Sequence, residues 1–194
     1  MKKLIISGLT MILLMSCSQS EKEKIDTQSE ETMYMKEDEN VESSTREQTN
    51  WEEVDVTSPI VSYEEIQSEE IEVRGTKDYS VYAVDETILF DFDKASIREG
   101  GEEKLEEVIT SVKKRHPDGE IAVRGYTDAI GSKDYNKELA EKRADAVASF
   151  LEDDAEIEDD QVTVLAKGEQ DPVASNETAE GRQKNRRVEI LVRN

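Results

Sequence analysis

The sequence predicts an α+β fold, a two-layer βαβαββ sandwich, which follows a disordered acidic linker. Apolar residues repeat at helical spacing in two stretches of the second half of the chain, and each stretch follows or precedes a run of β-forming residues. The last residues alternate between apolar and charged side chains, as in a strand with one buried face. This order of patterns places two helices on one face of a small sheet.

The first strand and the first helix of the sandwich are predicted between residues 87 and 119. Residues 87–92 form a β-rich apolar run, which favours a strand. Ser96 and Glu99 have the spacing of a capping box, which predicts a helix that begins after Ser96. Its buried face repeats at i, i+3, i+4 and i+7 and consists of Leu105, Val108, Ile109 and Val112. The sequence His-Pro-Asp-Gly at residues 116–119 ends this helix.

The remaining elements follow with short connections. Residues 121–126 begin apolar and end at a Gly-Tyr pair, which predicts the second strand. A second amphipathic helix carries Leu139, Ala140, Ala144, Val147, Ala148 and Leu151. Residues 162–165 predict the third strand, and residues 168–186 a loop with one helical turn from Thr178. The alternation of Val188, Ile190 and Val192 predicts the final strand.

The composition excludes several classes of function. The chain has 47 acidic and 25 basic residues, a net charge of −22. Binding to nucleic acid requires clustered Lys and Arg, so no nucleic-acid partner is expected. One cysteine and one histidine cannot form a disulfide framework or a closed zinc site. Since no phosphate-binding glycine loop is present either, we predict a protein that is not an enzyme and has no metal or cofactor.

Residues 1–16 have the pattern of a secretory signal. Two lysines precede an apolar run of about a dozen residues, which is too short to span a bilayer. The run ends at Cys17 behind a small residue and resembles the lipobox of bacterial lipoproteins. The resemblance implies that Cys17 is acylated, with palmitate-like chains, and holds the mature chain in a lipid bilayer. A lone buried cysteine after a plain signal peptide is the alternative.

Residues 17–77 are predicted to be the lipidated N-terminus and an acidic, mostly disordered tether. Acidic residues outnumber basic ones about three to one there, and too few apolar side chains are present to offset the chain entropy. Apolar residues between Trp51 and Ile66 could instead mark a strand pair or a segment that binds a partner. Ile71 and Val73 alternate with charged residues, as in a strand. The folded domain is predicted to occupy residues 78–194.

A candidate binding site surrounds the start of the second helix. Asn136 and Arg143 are seven residues apart, so they lie on the same side of the helix, about 10 Å from each other. Asp128 lies in the loop just before this helix. A carboxylate and a guanidinium over one groove suit a zwitterion, with Asp128 facing an ammonium and Arg143 a carboxylate. A plain salt bridge between Asp128 and Arg143 is the alternative.

Several segments of the second half match one known domain in order. They are residues 88–97, residues 123–128, Gly131, Tyr135, Asn136, Leu139, Arg143, Ala144, Val147, Gly168 and residues 185–189. On these segments, residues 87–194 resemble the OmpA-like peptidoglycan-binding domain. That domain is shared with the peptidoglycan-associated lipoprotein Pal and the periplasmic part of MotB.

The resemblance implies a ligand and a set of binding residues. The ligand is meso-diaminopimelate in the peptide stem of peptidoglycan, whose far end carries a free amine and a free carboxylate. The resemblance implies that Asp128 binds the ammonium and Arg143 the carboxylate. Asn136 and Asp93 would line the groove, and Arg186 lies in the matching C-terminal motif. Relatives carry Asn at the position of Asp93, so the exact contact of this side chain is not implied.

Together with Cys17, these features predict a lipid-anchored lipoprotein of the outer membrane whose domain lies in the periplasm. It would tether the outer membrane to the cell wall without a covalent bond. Two alternatives stay open. One is a localised interaction module whose tether, at about residues 45–70, recruits a protein partner of the cell envelope. The other is a cell-wall hydrolase with Asp91 and Asp93 as the catalytic carboxylates.

Overall fold

A computed structural model describes residues 50–51, 54, 57–155, 157 and 161–193. The predicted signal peptide, Cys17 and most of the acidic tether lie outside these residues. The described chain contains five strands and four helices. In order, they are β1 (Ile71–Gly75), β2 (Tyr79–Asp85), α1 (Glu86–Leu89), α2 (Glu99–Arg115), β3 (Glu120–Tyr126), α3 (Lys133–Ala155), β4 (Val162–Gly168), α4 (Ala179–Asn185) and β5 (Arg187–Arg193).

The five strands form one mixed sheet in the order β1-β2-β5-β3-β4. The pairs β1–β2, β2–β5 and β5–β3 are antiparallel. The pair β3–β4 is parallel, because α3 carries the chain back between these two strands. The C-terminal strand β5 therefore lies at the centre of the sheet. The α+β class predicted from the sequence is confirmed.

Helices α2 and α3 cover one face of the sheet, and the main core lies between these two layers. Both predicted apolar stripes are buried there. From α2 the core contains Leu105, Val108, Ile109 and Val112, and from α3 it contains Ala144, Val147, Ala148 and Leu151. The sheet contributes alternate residues, among them Tyr82, Val123 and Ile190. No helix within the described residues is long and apolar enough to cross a bilayer.

The predicted strand at residues 87–92 is wrong. Asp85 caps a helical turn there, because its carboxylate accepts a hydrogen bond from the backbone N–H of Thr87 at 2.8 Å. The turn forms α1 and buries Leu89, while Phe90 makes only an isolated bridge with Ile97. Burial in the core thus explains why Leu89 and Phe90 are apolar, whereas Phe92 at the end of the run is 94% exposed.

The predicted capping box at Ser96 is also wrong. Helix α2 begins at Glu99, and its N-cap is Arg98, which provides no side-chain cap. Ile97 bridges to Phe90, and the backbone N–H of Arg98 donates to the carbonyl of Leu89 at 3.0 Å. These bonds hold the residues before Glu99 in an extended conformation, so the helix cannot begin earlier. The predicted helical turn after Thr178 is confirmed as α4, with Thr178 as its N-cap.

The folded part of the chain extends upstream of residue 78. That predicted boundary falls in the connection between β1 and β2, which pair in the same sheet. Residues 57–68, here called the upstream segment, run along β1: Val61 N–H donates to the carbonyl of Val73, and Tyr63 bonds to Ser80 at 3.0 Å. The expectation of disorder therefore differs from the structure over residues 57–77.

The second face of the sheet is covered in part by residues that precede the upstream segment. Trp51 and Val54 pack against Val81, Ala122 and Leu191, which point away from the helices. Trp51 is only 7% exposed. Its apolar surface is therefore buried against the protein's own sheet.

Candidate functional site

The site forms where β3 ends beside the first turns of α3. A side-chain carbon at Gly125 would lie 2.1 Å from the backbone oxygen of Ala140, so only glycine allows α3 to pack this closely on β3. Beyond the strand, the N–H of Thr127 donates to the carbonyl of Gly168 at 2.8 Å. This close packing places the loop that contains Asp128 directly against the helix that carries Asn136 and Arg143.

Asp128 is held in this loop with only 8% of its surface exposed. One carboxylate oxygen accepts the N–H of Ile130 at 2.9 Å, and the other accepts Nη1 of Arg186, also at 2.9 Å. The side-chain amide of Asn136 donates to the backbone oxygen of Asp128 at 3.2 Å and to Glu169 at 2.9 Å. Asn136 therefore fixes the backbone of the Asp128 loop.

Arg143 is buried, with 3% of its surface exposed. Its Nε donates to the backbone oxygen of Lys94 at 3.0 Å, and its Nη1 bonds to Glu86. The guanidinium also lies over the ring of Phe90, 5.3 Å from its centre. Among the described residues Nη2 has no hydrogen-bond partner, so this nitrogen is available for a ligand.

Glu86 joins the two halves of the site. One of its oxygens bonds to Arg143, and the other lies 3.2 Å from Nε of Arg186, which in turn pairs with Asp128. The order of charges is thus Arg143, Glu86, Arg186, Asp128. Within the described residues Arg143 and Asp128 form no direct salt bridge. The plain salt bridge between them, which was the alternative from the sequence, is therefore wrong. A cation and an anion stand at opposite ends of a neutral network.

Burial has the largest influence on the pKa of Glu86 and raises it above the ordinary value of 4.5. The charges of Arg143 and Arg186 act in the opposite direction. A buried carboxylate of this kind depends on both guanidinium groups, because an unpaired charge in the interior costs several kcal/mol, on the order of 3–5.

Asp93 lies at the edge of the same site. It occupies the third position of a turn over residues 91–94, where the N–H of Lys94 donates to the carbonyl of Asp91 at 3.1 Å. The φ angle of Asp93 is 59°, in the left-handed region that aspartate tolerates better than most residues. The hydroxyl of Tyr135 donates to its carboxylate, and this bond raises the pKa of Tyr135.

The five predicted site residues therefore lie in one region. Asp128, Asn136 and Arg143 are linked as described, Arg186 pairs with Asp128, and Asp93 is adjacent to Lys94, whose carbonyl binds Arg143. Sequence reasoning missed Glu86, because the predicted strand began at the next residue. An available signal was Asp85 followed by Glu86, since an aspartate cap and an acidic first turn are typical of a helix start.

The carboxylates of the turn do not resemble an acid–base pair. The hydrogen bond from Lys94 at 2.9 Å lowers the pKa of Asp91, whereas a general acid requires a raised value. Asp93 is engaged by Tyr135. Within the described residues, no three His, Cys, Asp or Glu side chains are grouped so that they could hold a metal ion.

Comparison with known proteins gives consistent matches to this part of the chain. Outer membrane porin F of Pseudomonas aeruginosa is 39% identical over 105 residues, which cover 54% of this chain and 30% of that protein. The probable lipoprotein YiaD of Escherichia coli is 34% identical over 122 residues, which cover 63% of this chain and 55% of that protein. The chain thus spans about half, or less, of the length of these curated relatives.

A solved structure described as the cell wall anchor of the T6SS from Pseudomonas aeruginosa superposes with a TM-score of 0.58. The two chains are 31% identical, and the match covers 64% of this chain and 87% of that one. The family model of the OmpA family matches residues 89–186, from the end of α1 to the C-cap of α4. The chain therefore belongs to the OmpA family.

Proposed function

We propose that this protein binds peptidoglycan without a covalent bond, through the side-chain end of meso-diaminopimelate in the stem peptide. The observation that carries the proposal is the network of Arg143, Glu86, Arg186 and Asp128. Its internal charges balance, so its two ends can receive a carboxylate and an ammonium without leaving a net charge buried. The free end of diaminopimelate supplies these two groups on one carbon atom.

Each end of the network has a defined role. Nη2 of Arg143 donates to the ligand carboxylate, next to the bond that Nη1 makes with Glu86. Asp128 accepts the ligand ammonium through the remaining lone pairs of its carboxylate. Asn136 holds the loop that positions Asp128, and Arg186 keeps that carboxylate oriented.

Access to Arg143 requires a small movement. Since only 3% of the residue is exposed, a ligand carboxylate must open the pocket before it reaches Nη2. The turn at residues 91–94 is the adjacent element, and the side chains of Asp91 and Lys94 in it are 58% and 59% exposed. We infer that this turn shifts when the ligand enters.

The wider role that we propose is a tether between the outer membrane and the cell wall. Acyl chains on Cys17 would hold one end in the membrane, and the domain in the periplasm would bind stem peptides. The matched relatives named as an outer membrane porin and a probable lipoprotein support this location. Many membrane-held copies that face a repeating polymer gain strength from a high effective concentration, even if each contact is weak.

The structure favours tethering over recruitment of a protein partner by residues 45–70. Trp51 and Val54 are buried against the sheet, and Tyr63 and Glu65 contact β2 and α2. Most of the apolar side chains that suggested a partner-binding segment thus contact the protein's own domain over the described residues, although Ile60 is 63% exposed. We therefore retain recruitment only as the second candidate.

Co-sedimentation with purified diaminopimelate-type sacculi tests the proposed ligand. The full-length chain is required, because a fragment that begins at residue 78 would lack β1. The wild type should pellet, while Asp128→Asn and Arg143→Ala should remain in the supernatant although circular dichroism shows them folded. Asp78→Asn and Arg74→Ala are matched controls outside the site and should pellet. The proposal fails if the site variants pellet as well as these controls.

A further inference from the structure

Glu169 lies beside the Asp128 end of the candidate site, and none of the roles assigned above uses its carboxylate. The side-chain nitrogen of Asn136 donates both to the backbone oxygen of Asp128 and to Glu169. Since these bonds of 3.2 and 2.9 Å share one nitrogen, the two acceptor oxygens are at most about 6 Å apart. Two acidic residues therefore lie next to each other at this end of the site.

The backbone at the end of β4 holds Glu169 in this position. Gly168 accepts the N–H of Thr127 at 2.8 Å, so the end of β4 is tied to the residue before Asp128. The φ angle of Gly168 is 59°, and a side-chain carbon there would lie 3.3 Å from the backbone of Lys137 in α3. The chain thus turns closely against the start of α3 and brings Glu169 to this helix.

Glu169 differs from the other carboxylates of the site in its partners. Among the described residues it takes part in no ion pair, and its hydrogen bond comes from the neutral amide of Asn136. Arg186, by contrast, serves both Asp128 at 2.9 Å and Glu86 at 3.2 Å. Because two guanidinium groups already balance two carboxylates in the network, Glu169 adds a negative charge at the Asp128 end.

The exposure of Glu169 suits a group that meets a ligand. Glu169 is half-buried, whereas Asp128 is only 8% exposed. A half-buried carboxylate keeps part of its hydration, so it does not depend on a permanent cation as the buried Glu86 does. Two adjacent carboxylates repel each other, and a cation that enters between them removes this repulsion.

We propose that Glu169 is a second anionic residue for the ligand ammonium and makes the site selective for stem residues that carry this amine. The inference rests on the proposed function, in which Asp128 accepts the ammonium of diaminopimelate. One oxygen of Asp128 already accepts Arg186 and the other accepts the N–H of Ile130, so only its remaining lone pairs are available. Glu169 adds negative charge on the same side of the ligand.

A purely structural role for Glu169 is the alternative. In that role it would accept the amide of Asn136 and so hold the loop of Asp128, which requires the hydrogen bond but not the charge. Glu169→Gln separates the two roles, because a Gln oxygen still accepts from Asn136 while the negative charge is lost.

Isothermal titration of the full-length chain tests the inference with two stem tripeptides that differ only in the amine. One ends in diaminopimelate and the other in 2-aminopimelate, which keeps the far carboxylate but lacks the far amine. The wild type should prefer diaminopimelate, and Glu169→Gln should reduce this preference about three- to tenfold, between the effects of exposed and buried ion pairs. The affinity of Glu169→Gln for the 2-aminopimelate form should not fall.

Asp118→Asn is the matched control. It also removes one negative charge, but Asp118 is exposed and lies just before β3, at the opposite end of that strand from Asp128. This variant should keep the preference of the wild type. Circular dichroism melts of both variants check that each is folded.

The outcomes separate this inference from the proposed function. If Glu169→Gln keeps the full preference, or weakens both tripeptides by the same factor, Glu169 is structural and the inference is refuted while the diaminopimelate site stands. If the wild type binds both tripeptides equally, the ammonium contact is refuted and the role of Glu169 with it. If the wild type binds neither tripeptide, the proposed function itself fails.

Discussion

Replacement of Glu86 by Gln is the sharpest test of how the site is built. The substitution keeps the size of the side chain but removes the charge that holds Arg143 and Arg186. Loss of one partner from a buried ion pair costs about 3–5 kcal/mol. The amide oxygen of Gln still accepts one hydrogen bond, and Arg186 keeps Asp128 at 2.9 Å. We therefore expect a loss of about 2–3 kcal/mol.

Thermal and urea denaturation followed by circular dichroism measure this loss. For a domain of this size, the expected fall in Tm is about 6–10 °C. Glu138→Gln is a matched control, because Glu138 pairs with Lys142 at 2.6 Å while both side chains are at least 60% exposed. It should change the stability by less than about 0.5 kcal/mol. Equal stability of the two variants would refute the view that Glu86 organises the site.

Three further predictions concern the scaffold. Gly125→Ala should cost about 3 kcal/mol or more in urea melts, because the new carbon would overlap the backbone of α3. Gly100→Ala, where the nearest atom is 3.8 Å away, should instead stabilise α2 by about 0.5–1 kcal/mol. Similar effects of the two glycine substitutions would contradict the close packing of α3 on β3. Trp51→Ala should cost about 2–4 kcal/mol in the same assay, and an effect as small as that of the exposed Ile60→Ala would show that Trp51 does not hold the second face. The hydrogen bond from Arg115 lowers the pKa of Glu65 from 4.5 to about 2, so this carboxylate stabilises the fold above pH 4.5 and loses that effect as the pH falls toward 2. Glu65→Gln should remove about 1–2 kcal/mol of that acid-dependent stability, a modest amount because its basic partners are partly exposed. If the stability of Glu65→Gln depends on pH as that of the wild type does, the pairing is contradicted.

The sequence predicts the two long helices and the central strand of this fold better than the short helix α1. The stripes of α2 and α3 are readable because each repeats one apolar face over several turns. β5 is equally clear because its residues alternate regularly. Residues 87–92 have a composition that suits a strand or a buried turn, and only the cap at Asp85 decides between them. A one-turn helix is too short for periodicity to reveal.

The upstream segment is folded, contrary to the prediction, for a related reason. Its charge suggests disorder, but several of those charges have partners that only the fold brings near. Glu65 bonds to Arg115 and Ser111, fifty and forty-six residues away, and Gln67 and Ser68 donate to Glu107. Contacts at such separations leave no local pattern in the sequence.

The candidate site also has one part that the sequence predicts and one part that it does not. Asp128, Asn136 and Arg143 follow from helical geometry and a loop, so their proximity is predictable. The link through Glu86 depends on a contact between α1 and α3, which the sequence order does not show. The direct salt bridge between Asp128 and Arg143, the alternative that the sequence left open, does not form within the described residues, where the network through Glu86 and Arg186 joins them.

The central claim is that Arg143 recognises the terminal carboxylate of diaminopimelate. The most direct measurement compares the affinity of the full-length chain for two stem tripeptides, one with diaminopimelate and one with lysine, which lacks that carboxylate. The wild type should prefer diaminopimelate by about ten- to hundredfold, the range of a hydrogen bond between charged groups. Arg143→Ala, if still folded by circular dichroism, should bind both tripeptides equally weakly. A preference that survives in Arg143→Ala, or is absent in the wild type, would contradict the account.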